Sequence, residues 1–256
     1  MRTAVLGLGE AGGRYAADLA AAGLQVIGYD PAPVTTPPGV VRAGSAAAAA
    51  AGCDLVIGLT GPRAAPSAAA EAAHAMRGGG CYADFNSASA ADKRAVERAV
   101  APAGIMMADV AVLAPVGRGG AATPLLASGP GADFLAGVFR PLAAPVDVLA
   151  APVGVAADRK LLRSVFMKGL AAVALEASAA GRAAGCEQWV RDQMAAELGP
   201  GGPALVDRLI EGSVEHARRR IAEVTASRDL LRELGVPAEV CEAALGWLRR
   251  LDDTEA

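Results

Sequence analysis

Aromatic residues make up only 4% of this 256-residue chain, so a core built on stacked rings is excluded. The core must come from Ala, Val and Leu. Alanine alone fills 63 positions, which favours closely packed helices and Gly-rich turns over a β-sandwich. No charge dominates: the net charge is −3, with none of the basic excess that nucleic acid requires of a partner. Long apolar runs are missing as well. None reaches the ~18 residues of a membrane span. The N-terminus has no basic stretch followed by an apolar core and cleavage site. Neither a nucleic acid nor a membrane is therefore an expected partner.

Cysteine and histidine are scarce and scattered. Cys53, Cys81, Cys186 and Cys241 form no CxxC and no Cys/His cluster, so no metal site is expected. Separated thiols without a secretion signal point to the cytoplasm. The two histidines, His74 and His216, sit in an Ala-rich helical stretch and beside three arginines, and read as surface or structural residues. Any proton transfer then falls to Lys, Tyr or a carboxylate. Lysine is itself rare, with three residues (Lys93, Lys160 and Lys168) against 21 arginines.

The first half alternates short apolar runs with Ala-rich stretches. Strands are predicted at 2–8, 24–29, 54–59, 81–85 and 105–112, with shorter ones near 125–127 and 146–149. Helices are predicted at 10–22, 45–51, 67–76 and 89–100, the second capped by Ser45. Strands separated by single helices imply βαβ units and a mostly parallel sheet. After Pro152 no convincing strand remains. Helices are expected over 155–180, 187–198, within 204–234 and over 238–251, separated by breakers such as Gly199-Pro200-Gly201-Gly202-Pro203. The reading is an α/β Rossmann domain over 1–153 and an all-α domain over 154–256.

Gly7-Leu8-Gly9-Glu10-Ala11-Gly12 is a G-x-G-x-x-G that follows an apolar strand and opens a helix. Tyr29 and Asp30 end the next strand. This is the dinucleotide-binding arrangement. Gly7 permits the tight turn, Gly9 lets backbone approach a pyrophosphate, and Gly12 lets helix and strand pack closely. The helix N-terminus offers unpaired N–H groups and a favourable dipole. Asp30 suits a ribose 2′-OH and repels a 2′-phosphate, so NAD is favoured over NADP. Arg42, later in the loop, can fold back and weaken that preference.

With these motifs the chain resembles the 6-phosphogluconate dehydrogenase and β-hydroxyacid dehydrogenase superfamily. The resemblance also rests on Val26-Ile27-Gly28-Tyr29-Asp30, Asp54-Leu55-Val56-Ile57, Tyr82-Ala83-Asp84-Phe85-Asn86-Ser87-Ala88-Ser89, the Asp109 region and the helix beginning near Gly154. Ala114-Pro115-Val116, Thr123-Pro124-Leu125-Leu126 and Arg163-Ser164-Val165-Phe166-Met167-Lys168-Gly169 suggest a short branch whose C-terminal domain has no assigned substrate. The resemblance implies a catalytic Lys early in the inter-domain helix, at Lys160. It implies Leu59, Thr60 and Gly61 beneath the cofactor, and Asn86 and Ser87 near the nicotinamide. Where the superfamily carries Asn one turn after the Lys, this chain has Ser164. Where it carries Ser-Gly-Gly after an Asp, this chain has Leu113-Ala114-Pro115, which departs from the usual carboxylate site. The resemblance also implies a homodimer through the C-terminal helices.

The residues themselves support Lys chemistry. Lys160, Ser164 and Lys168 recur every four positions and share a helical face. Apolar Leu161, Leu162, Val165 and Phe166 surround them, and a lysine buried there has its pKa lowered, as acid–base work near neutrality needs. Arginine cannot substitute in proton transfer. Lys168 reads more as a structural or substrate-anion group, and Arg118 and Arg163 as anion binders or surface residues. The expected reaction is hydride transfer between nicotinamide and a small, anionic hydroxy or oxo substrate. Two alternatives stand beside it: an imine reductase-like enzyme, which typically carries Asp or Tyr at the Lys160 position, and a non-catalytic NAD(H)-binding regulator.

Overall fold

The computed structural model describes residues 1–254, apart from the side chains of Arg118 and Thr254. The expected role of Arg118 therefore lies outside what is described. The chain divides into two compact units, Met1–Lys160 and a second beginning at Leu161.

The first unit runs β1 (Arg2–Leu6), α1 (Glu10–Ala21), β2 (Gln25–Tyr29), β3 (Val40–Arg42), α2 (Ala46–Ala50), β4 (Leu55–Gly58) and α3 (Ala65–Ala73). It continues with β5 (Cys81–Asp84), α4 (Ala90–Val100), β6 (Met106–Val112), α5 (Val116–Gly119), β7 (Leu125–Ser128), α6 (Ala132–Phe139) and β8 (Val146–Val148). The strands form one sheet in the order β3-β2-β1-β4-β5-β6-β7-β8. Every pairing is parallel except β6 with β7. Strand order reverses between β1 and β4, so the C-terminal ends of these two strands open the crevice where such sheets bind ligands.

Side chains alternate across the sheet. Val5, Leu55 and Ile57 enter one core, while Ala4, Leu6 and Val56 enter the other. β4 and β5 are buried at every position, which is why they read as continuous apolar runs. Three of the nine aromatics cluster in the first unit. Tyr15 of α1 meets Phe85 edge-on at 5.1 Å, and Phe139 of α6 completes the cluster at 5.9 Å from Phe85.

The second unit is helical. α7 (Val155–Ala183) leads into α8 (Glu187–Glu197), α9 (Gly202–Glu215), α10 (Ala217–Glu233) and α11 (Glu239–Thr254). Among the described residues α7 alone is long and apolar enough to cross a membrane by length and composition. Its Ala171, Ala174 and Leu175 pack against Leu209 and Ile210 of α9, and Ala172 against Leu245 and Leu248 of α11. The unit boundary falls after Lys160 rather than at 153, because the first turn of α7 is bonded to the sheet. The Ala156 N–H donates to Ser128 Oγ (3.1 Å) and the Ala157 N–H to Asp109 Oδ2 (3.1 Å).

Candidate functional site

The Gly-rich loop sits at the reversal point. The Gly7 N–H donates to the Tyr29 carbonyl (2.7 Å), joining the ends of β1 and β2. Gly7 has φ +93° and lies against the Leu59 carbonyl, so a side chain there would collide with backbone. A Cβ at Gly12 would collide with the Gly7 carbonyl. Gly9 is different. It is the N-cap of α1 with φ −63°, and a Cβ added to it would meet nothing within 4 Å. The fold requires glycine at 7 and 12, whereas at 9 the bare backbone faces open space. Glu10 and Ala11 begin the helix, with Glu10 exposed and its charge aligned with the dipole. An open backbone at a helix N-terminus fits a dinucleotide pyrophosphate.

Asp30 is held at the end of β2. Its carboxylate accepts from the Leu8 N–H (2.7 Å) and the Ala32 N–H (2.8 Å). Arg42 does fold back. Its guanidinium donates to the carbonyls of Val34 (2.6 Å), Asp30 (2.8 Å) and Ala32 (2.6 Å).

A line of contacts then runs along the strand ends. Leu59 follows β4 and donates its N–H to the Leu6 carbonyl (2.7 Å). The hydroxyl of Thr60 has no hydrogen-bond partner among the described residues. The Gly61 N–H donates to Asn86 Oδ1 (2.7 Å). Ser87 is next in the chain, and its Oγ accepts a 2.6 Å bond from Lys160 Nζ. Residues 73 positions apart therefore meet, and Lys160 stands at the end of a track that begins at the Gly-rich loop.

The other expected site residues are not part of that track. Ser164 and Lys168 belong to the second unit. Ser164 is buried, and Lys168 forms a 3.1 Å ion pair with Glu223 of α10. Burial pushes the Lys168 ammonium below the ordinary lysine range, against the opposing pull of Glu223. The desolvation expected around the two lysines is thus found at Lys168. The apolar surround is not continuous: Leu162 and Phe166 are 44% and 67% exposed, because α7 turns them outward. Leu113 is half-buried and bonded to the Pro124 carbonyl (2.9 Å), while Ala114 and Pro115 are exposed in the loop before α5. Arg163 is exposed.

One cluster escaped the sequence reading. Lys93 of α4 is buried to 1% exposure between Asp84 and Asp109, which are equally buried. Its Nζ donates to the Asp84 carbonyl (2.7 Å) and lies 3.3 Å from Asp84 Oδ2 and 3.5 Å from Asp109 Oδ1. A signal was present. Ala90, Lys93, Val96 and Val100 share the buried face of α4, so helical spacing alone places this lysine in the core.

The order of strands, the loop and the open helix end define a dinucleotide-binding doubly wound domain. Residues 2–146 match the NAD binding domain of 6-phosphogluconate dehydrogenase, and the chain belongs to that family. The first unit is accordingly an NAD(P)-binding domain. Residues 182–251 match a domain of unknown function, DUF1932. No curated protein matches the chain. Among solved structures, a conserved hypothetical protein from Sinorhizobium meliloti 1021 is similar at 25% identity and a TM-score of 0.73, over 96% of this chain and 87% of that one. A 3-hydroxyisobutyrate dehydrogenase from Salmonella typhimurium is similar at 19% identity and a TM-score of 0.81, over 98% and 94%. An imine reductase from Pseudomonas sp. is similar at 21% identity and a TM-score of 0.66, over 99% and 94%. At the identities of the last two, the likeness is one of fold.

Proposed function

We propose that this protein is an NAD(P)-dependent oxidoreductase of the β-hydroxyacid dehydrogenase type, with Lys160 as its general acid/base. The observation that carries the reading is the 2.6 Å bond from Lys160 Nζ to Ser87 Oγ at the end of the track from the Gly-rich loop. Gly7, Leu8, Gly9, Glu10, Ala11 and Gly12 would hold the pyrophosphate, Tyr29 and Asp30 the adenosine ribose, and Leu59, Thr60, Gly61, Asn86 and Ser87 the nicotinamide end. When bound, the nicotinamide supplies the hydride acceptor or donor at its C4. Lys160 orients the substrate oxygen. As the neutral amine it accepts the hydroxyl proton while a carbinol is oxidised, and as the ammonium it gives that proton to the oxygen while a carbonyl is reduced. Ser87 fixes the direction of the Lys160 ammonium. Leu113, Ala114 and Pro115, in the same unit as Lys160, are the proposed substrate-side groups.

The preferred cofactor is NAD. The Asp30 charge is fixed by two backbone N–H groups, and both terminal nitrogens of Arg42 are committed to carbonyls rather than offered to a 2′-phosphate. Exposed Leu162, Phe166 and Val173 on α7 support a homodimer through the helical unit. Unpaired Cys53, Cys81, Cys186 and Cys241 support a cytoplasmic location.

The test is a turnover panel with NADH and NADPH against aldehydes, 3-oxo acids, their phosphonate analogues and cyclic imines. The reading predicts consumption of NADH with an oxo acid or its phosphonate. Turnover confined to cyclic imines would move the protein to the imine reductases. Tight NADH binding with no turnover across the panel would favour the regulator.

A further inference from the structure

The buried cluster around Lys93 does more than fill the core. Its two carboxylates each reach a different side of the Ser87–Lys160 bond. Asp84 Oδ1 accepts from the Asn86 N–H (3.0 Å) and from Asn86 Nδ2, and Asn86 in turn holds Gly61 and precedes Ser87. Asp109 Oδ2 accepts from the Gly154 N–H (3.0 Å), the Ala157 N–H (3.1 Å) and Ser128 Oγ (3.2 Å). Gly154 immediately precedes α7, and Ala157 lies in its first turn, three residues before Lys160. The remaining oxygens, Asp84 Oδ2 and Asp109 Oδ1, have no hydrogen-bond partner among the described residues, and each lies against the Lys93 ammonium.

We infer that Lys93 is a positioning residue, which sets the Asp84–Ser87 loop and the first turn of α7 in the register that brings Ser87 to Lys160. The inference rests on the proposed role of Lys160. Two buried carboxylates against one ammonium leave an uncancelled negative charge, an expensive way to fill a core that apolar side chains could occupy. The positive end of the α7 dipole offsets that charge at Asp109, so the cluster and the helix start fix one another. Deleting Lys93 has two separable effects: it unbalances the charge, and it frees the two arms.

The experiment separates them. Lys93→Met leaves both carboxylates uncompensated, and its melting temperature should fall. Lys93→Met combined with Asp84→Asn restores the wild-type charge of the cluster and should regain most of that loss. The chain has only three lysines, so selective 13C-lysine labelling resolves the Lys160 Cε signal, assigned with Lys168→Met. The Lys160 signal of the double variant should sit where Ser87→Ala places it in the otherwise wild-type protein, further from its wild-type position than Asp84→Asn alone moves it, because Asp84 itself holds Asn86. Adding Ser87→Ala to the double variant should then move it no further. NADH should also bind at least tenfold more weakly.

A double variant with restored melting temperature and a wild-type Lys160 signal would reduce Lys93 to charge balance and overturn the inference. Asn86→Ala breaks one arm without burying a charge. It should displace the Lys160 signal even if the double variant does not fold, and an unmoved signal would equally overturn the inference. The lysine signals need no substrate. A wild-type protein that turns nothing over, yet shows these displacements, would sink the proposed reaction and leave the positioning role standing.

Discussion

Glycine gives the sharpest contrast at the scale of single residues. Gly12 is required by packing, since its Cβ would collide with the Gly7 carbonyl, and Gly12→Ala should cost about 1–3 kcal/mol. Gly9 has an ordinary φ and open space, so Gly9→Ala should leave the melting temperature unchanged. It should still weaken NADH binding tenfold or more, because a methyl group would stand where the phosphates approach. Thermal melts and NADH titrations of the two variants check both expectations. Lys168 makes a pH prediction. Burial lowers its pKa in the native state, so between that value and the ordinary lysine value the unfolded chain binds more protons. Stability from this group therefore rises with pH across that window. Lys168→Met should lose the rise, which urea denaturation from neutral to alkaline pH would show as a wild-type curve climbing relative to the variant.

Elements were legible where a local rule governs them. The β1-loop-α1-β2 unit follows from its apolar runs and glycine spacing. Ser45 caps α2 by accepting from the Ala48 N–H, as its position implied. Ser89 closes a capping box with Asp92, and Ser89→Ala should cost α4 roughly 1 kcal/mol in chemical denaturation. β3 was missed because it is three residues long, partly exposed and preceded by prolines, so it has no period to read. α6 was not legible because Gly129, Pro130 and Gly131 precede it and Gly137 interrupts its eight residues, so breakers outweigh its short period. The Lys160–Ser87 meeting depends on where the sheet carries each segment, which no local pattern encodes. Lys93 was legible from its spacing with Val96 and Val100, but a lysine there reads as a solvated charge until two distant carboxylates are known to surround it.

At the scale of the whole molecule, an Ala-rich chain folds by bringing backbones close. Buried thiols follow from that packing. Cys53, Cys81 and Cys241 are buried and Cys186 is exposed. Burial pushes the Cys81 thiol up to about 12. A thiol reagent should label one cysteine in the native protein and four in denaturant, and mass spectrometry of the labelled peptides checks it. The central claim is that the strand ends deliver Lys160 to a nicotinamide site as the group that moves the proton. The most direct test compares Lys160→Ala with wild type for both NADH affinity and kcat, on whichever oxo substrate the panel identifies. The account predicts that kcat falls by about 100-fold or more, with the NADH dissociation constant within a factor of two or three. An unchanged kcat would contradict it.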